Sequence, residues 1–121
     1  MLQPKVYIKE LNIVREVEMI DFHNKQVSVY DIGIGFRGGA AIFSFDKVEF
    51  MENTGYVDIN KKHICVGDIV EILGAYFEIK YRAYKGYVIK NKKYTLSLEA
   101  NLDCVSVVGN IYENKELLGN E

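Results

Sequence analysis

The chain predicts a mainly β protein, with α+β as the alternative. Three observations carry this. Apolar and polar residues alternate over short segments, as in Asp68-Ile-Val-Glu-Ile72 and Phe77-Glu-Ile-Lys-Tyr81, which is the period of a half-buried strand. Nine tyrosines and six phenylalanines, with no tryptophan, bias the composition toward residues that suit a pleated surface. Polar clusters such as His23-Asn-Lys-Gln26 and Asn91-Lys-Lys93 recur between these segments, where turns are needed.

Taken in order, Val6, Ile8, Leu11 and Ile13 fit a strand followed by an irregular stretch. Glu16 to Phe22 alternates loosely and Val27 to Ile32 alternates again, predicting a hairpin closed near Asn24-Lys25. Leu11, Val14, Val17 and Ile20 also lie at helical spacing, so the periodicity leaves a helix open there. Gly67 supplies a bend before Asp68, which caps the turn, and Ile69 or Val70 enters the core. This is the phrase of a strand entering an SH3-like barrel. Strands at 77–83, 87–89, 94–98 and 104–108 follow. The expected architecture is an SH3-like antiparallel barrel in the second half (51–121), preceded by a smaller N-terminal β region (1–50), all in one domain. Asn114-Lys-Glu-Leu-Leu118 predicts an N-cap and a short C-terminal helical turn. No internal repeat is visible.

The bulk numbers bound the function. A chain of 121 residues makes one compact domain more readily than two. A formal net charge of −2 calls for neither nucleic acid nor an anionic membrane. No apolar run is long enough for a bilayer, and no secretory signal opens the chain. Cys65 and Cys104 are expected as free thiols in a reducing cytoplasm.

Gly33, Gly35 and Gly38 spell G-x-G-x-x-G after a strand-like segment, the arrangement that cradles a pyrophosphate when a helix follows. Here Ile42, Phe43, Phe45, Val48 and Phe50 follow instead, so a glycine-rich connection or bulge is the expected role. His63 and Cys65 are close in sequence, but a structural zinc site needs four ligands. They read as a surface histidine and a buried cysteine. The acids Glu49, Glu52, Asp58, Asp68, Glu113 and Glu116 are dispersed over turns. No catalytic residue, metal or cofactor is expected.

The stretch Tyr76–Tyr94 is different. It carries Lys80, Arg82, Lys85, Lys90, Lys92 and Lys93 against one acid, Glu78, with six aromatic residues interleaved. Aromatic faces for bases and cations for phosphates are what a single-strand binder needs. Lys80, Arg82, Tyr84, Lys92 and Lys93 are its candidate residues. The plain alternative is alternation, with Phe77, Ile79 and Tyr81 facing the core and Lys80, Arg82 and Tyr84 facing solvent.

Two stretches go further. Residues 50–70 hold Thr54, Gly55, Asp58, Asn60, Ile64, Gly67, Asp68, Ile69 and Val70; residues 107–118 hold Gly109-Asn-Ile-Tyr-Glu-Asn114 and Glu116-Leu-Leu118. In that order the two resemble the YopX family of phage and prophage proteins. Lys61 departs from a common turn glycine and Lys115 from a common proline, which puts a left-handed turn at Lys61 in question. The resemblance implies a small phage-encoded protein of the bacterial cytoplasm that forms homo-oligomers; the expected function is a non-enzymatic accessory protein that self-assembles and binds an unknown phage or host protein. It carries no activity residue by residue. Thr54, Gly55, Asp58, Asn60, Gly67, Asp68, Gly109, Asn110, Tyr112 and Asn114 are expected to shape turns, with Asn114 as the N-cap of the last turn.

Overall fold

The computed structural model describes residues 3–30 and 40–119. The glycine cluster 33–39 lies outside them. Among the described residues, twelve strands and three short 3-10 turns make up the regular structure, so the protein is mainly β. The chain divides into two compact units, Met1–Glu52 and Asn53–Glu121.

The first unit is a five-stranded antiparallel sheet. Its strands are β1 (Lys5–Ile8), β2 (Ile13–Asp21), β3 (Gln26–Tyr30), β4 (Ala40–Ser44) and β5 (Val48–Met51). The spatial order is β4-β3-β2-β1-β5. Residues 13–21, where helical spacing competed, are strand, because Val17 and Ile20 pair with Val29 and Val27 across the hairpin. Pairing with β-branched neighbours decides an apolar pattern that length alone leaves ambiguous. The hairpin turns through Phe22–Lys25, as expected, with Lys25 at φ 53°. Val6, Ile8, Val17, Val27, Val29 and Val48 form the buried core. The 3-10 turn Phe45–Lys47 joins β4 to β5, the two edges of the sheet. A three-residue link forces the sheet to curl, since extended chain gains only about 3.5 Å per residue.

In the second unit β6 (Asn53–Val57) pairs β7 (His63–Cys65). The larger sheet contains β8 (Asp68–Ile72), β9 (Ala75–Arg82), β10 (Gly86–Lys90), β11 (Thr95–Ser97) and β12 (Ser106–Asn110), in the order β11-β10-β9-β8-β12. Ile64, Val70, Phe77, Ile79, Ile89, Leu98 and Val105 make its core. Both Ile69 and Val70 are buried. No sheet among the described residues closes into a barrel, so the SH3-like barrel expected over 51–121 is not shown. The C-terminal turn is present as the 3-10 turn Lys115–Leu118.

The two five-stranded sheets repeat one topology, with the β6–β7 hairpin an addition to the second unit. Each sheet runs four strands as a meander, passes a 3-10 turn, and returns a fifth strand antiparallel to the first. The sequence hides this repetition, because period-2 alternation constrains residue class and leaves identity free.

Candidate functional site

The motif residues form two hydrogen-bonded turn clusters in the second unit. Asp58 is buried, yet its carboxylate accepts three backbone N–H bonds of 2.8 Å: Oδ1 from Asn60 and Lys62, Oδ2 from Val107. The acid thereby ties the turn after β6 to β12. Asn60 Nδ2 donates to Ser106 Oγ at 3.3 Å on the same seam. Lys61 sits at φ 65°, so the left-handed turn persists without its glycine. Thr54 Oγ1 donates to the Ile64 carbonyl at 2.7 Å and accepts from Tyr56 N–H, bridging β6 and β7. Gly55 N–H donates to Asn53 Oδ1 at 2.8 Å.

The second cluster is built around Gly67, Asp68 and the end of β12. Asp68, 1% exposed, accepts from Cys65 N–H at 2.7 Å. Gly67 turns at φ 98° and exchanges backbone bonds with Ile79 and Ile111. Asn110 Oδ1 accepts from Tyr112 and Glu113 N–H, and its Nδ2 donates to Glu113 Oε1. Asn114 does not cap its own turn with its side chain. Its Oδ1 accepts from Asn110 N–H at 3.1 Å, while Asn114 N–H donates to the Asn110 carbonyl. This reciprocal lock explains Gly109: a Cβ there would lie 2.5 Å from Asn114 Oδ1. Tyr112 is half-exposed beside it. The Thr54, Asp58, Asp68, Asn110 and Asn114 side chains each bond backbone groups of their turns, and Asp58 and Asp68 belong to separate seams.

The basic, tyrosine-rich stretch is taken apart by the pleat. Register places Glu78 opposite Lys90 and Ile69, and Lys80 opposite Val88. Glu71, Glu78, Lys80, Arg82 and Lys90 therefore share one face, and Lys80 pairs with Glu78 at 3.8 Å. Tyr81 and Tyr87 face each other on the opposite side, their rings in edge contact at 5.3 Å. Tyr81 is 58% exposed rather than in the core, because it lies at the strand's end beyond Ile79. Lys92 and Lys93 sit in the turn that Asn91 Oδ1 closes by accepting Lys93 and Tyr94 N–H. Arg82 and Tyr84 occupy the other end of the sheet, about 13 Å away along the strand. There Tyr84 is fully exposed at φ 71°, beside a shallow depression of about 330 Å³ lined by Arg82, Ala83, Lys85 and Thr95.

Catalytic and metal constellations do not assemble among the described residues. His63 is exposed while Cys65 is buried. Cys104 is exposed in a turn rather than on a strand, and neither cysteine forms a disulfide. No group of three or more His, Cys, Asp or Glu side chains is placed to hold a metal. Residues 40–44 are strand, so the helix a dinucleotide motif requires does not follow Gly38. No helix among them is long and apolar enough to cross a membrane.

Sequence reading missed two surfaces of the first unit. The outer edge of β4 carries no partner strand among the described residues, no charge over Ala40–Ser44, and Ile42 at 64% exposure. Phe22, Phe45 and Phe50 form a partly exposed row, each step edge-to-face, at 6.1 and 5.3 Å between centroids. In the sequence these three read only as strand-forming aromatics.

A family model described as the YopX protein matches residues 5–119. The chain belongs to the YopX family. Its fold is similar to the crystal structure of protein EF1440 from Enterococcus faecalis, with a TM-score of 0.62 and 22% identity over 96% of both chains. No curated protein matches the sequence. The residues that carry the sequence resemblance fall in the two turn clusters of the second unit.

Proposed function

We propose that this YopX protein is a non-enzymatic, self-assembling protein-interaction module, encoded by a phage or prophage and working in the bacterial cytoplasm with a phage or host protein. The observation that carries the reading is the edge of β4, which has no partner strand among the described residues. Edge strands in monomeric proteins are blunted by charges, prolines, bulges or shortness. β5 carries Glu49, β12 is bulged between Val107 and Gly109, and β11 is three residues long next to Lys92 and Lys93. β4 has none of these devices. Paired antiparallel with a second copy about Ile42, it sets Ile42 against Ile42 and brings no like charges together. The strand order β11-β10-β9-β8-β12 supports the finer reading that 51–121 is SH3-like. Light scattering tests the assembly. The wild type runs as a defined oligomer, and Ile42→Lys shifts it toward the monomer. An unchanged mass in the variant overturns the role of β4.

Nucleic-acid binding is the second reading, favoured by Tyr84 standing exposed between Arg82 and Lys85. Lys80, Arg82, Tyr84, Lys92 and Lys93 would supply the contacts. Such binding weakens steeply with salt, and Lys92→Glu with Lys93→Glu weakens it further. Affinity for oligonucleotides that stays unmeasurable at low salt removes this reading.

A further inference from the structure

We propose that the row Phe22–Phe45–Phe50 in the first unit is a docking site for a proline-rich segment of another protein, bound as a polyproline II helix. The inference does not rest on self-assembly through β4. It begins with how the rings are held. Phe45 packs on the core of the first unit, and its N–H donates to the Lys25 carbonyl at 2.9 Å. That bond ties the 3-10 turn to the Phe22–Lys25 turn. Asp21 accepts from Asn24 N–H and Nδ2, closing the turn that carries Phe22. Phe45 is thus held by the core and the backbone before any ligand arrives. Even so, Phe22 is 74% and Phe50 41% exposed. Large rings left open on a rigid frame are the anchors from which hot spots are made.

The size of the patch selects the occupant. A buried phenylalanine contributes roughly 150–250 Å², and Phe45 is already half-buried. What remains is well short of the roughly 800 Å² per partner in a stable protein interface, so a second folded copy is a poor fit. A short peptide fits. Its ordering cost must be low to bind through so little area, and polyproline II is preformed. The two centroid steps of 6.1 and 5.3 Å span little more than one polyproline II turn of roughly 9 Å.

Nearby, Lys9 pairs with Glu49 at 3.9 Å and Lys47 with Glu10 at 3.5 Å, while the Asp21 and Asp46 carboxylates beside the rings are held by Asn24 and Ser44. The chain has one proline, so the segment comes from another protein.

The test is a titration of the ¹⁵N-labelled full chain with decaproline, with calorimetry on the same sample. Saturable shifts are expected at the amides of Phe22, Phe45, Phe50 and Lys25, and none with a glycine–serine peptide. Phe22→Ala, an exposed change that leaves the melting curve in place, is expected to weaken binding about tenfold or more. Phe50→Ser serves as the second variant. Absence of saturable shifts at millimolar decaproline, or equal binding by both variants, overturns the proposal. So does a shift of these amides with protein concentration alone, which would name a second copy as the occupant. Stronger binding of an amphipathic helical peptide would overturn it as well.

Discussion

Asp58 and Gly109 show what single positions of the YopX motifs do. Asp58 holds three backbone donors in a buried setting. Removing the acceptor strands those N–H groups, and each stranded buried group costs about 1–3 kcal/mol before water compensates. Asp58→Ala is therefore expected to destabilise by roughly 2–4 kcal/mol in urea unfolding, and Asp58→Asn by less, since one oxygen remains. Gly109→Ala drives a methyl into the Asn114 amide. It is expected to cost roughly 1–3 kcal/mol, as overpacking does, with Asn110 and Asn114 amides shifting most in the NMR spectrum. The residue scale was the least legible in the sequence. That Asp58 belongs to a turn could be read from Asp58-Ile-Asn-Lys-Lys62. That Val107, 49 positions later, donates to it could not, because no local pattern encodes a long-range acceptor. Lys61 shows the converse, since its left-handed φ is held by the turn around Asp58 rather than by its own preference.

At the scale of elements, the loops around the aromatic row carry a pH dependence. Backbone and side-chain bonds from Asn24 lower the Asp21 carboxyl below its ordinary value. The Ser44 hydroxyl, aided by Lys47 and Lys9, lowers Asp46. A depressed folded value means the unfolded chain takes up protons first as pH falls. The contribution is therefore complete above the ordinary aspartate range, about pH 4, and is lost as pH drops through the lowered value. Hydrogen exchange is expected to show the Phe22–Lys25 and Ser44–Lys47 segments opening below about pH 4 while β1 and β2 hold. Strands were legible as elements because alternation reports a half-buried pleat directly. Their faces were less so: the interleaving of lysines and tyrosines over 76–94 looked like one surface, and the register sends Tyr81 and Tyr87 to one side and Lys80 and Arg82 to the other. The edges were not legible at all, since which strand is last depends on long-range order.

On the scale of the whole molecule, two units whose five-stranded sheets share one strand order each carry a core of their own. A unit with its own buried core and closed hydrogen-bond network can fold by itself. The fragment 53–121 is expected to give a dispersed NMR spectrum and a cooperative melt, and a collapsed spectrum would deny it that autonomy. The residues that carry the resemblance fix turns of this unit, while the exposed edge of β4 and the phenylalanine row belong to the first. The claim that the protein works by association, through the edge of β4, is tested most directly by the mass of purified wild type and Ile42→Lys by light scattering over a range of concentrations. A defined wild-type oligomer that falls toward the monomer in the folded variant is expected. A wild type that stays monomeric at every concentration, or an oligomer indifferent to Ile42→Lys, would contradict the account.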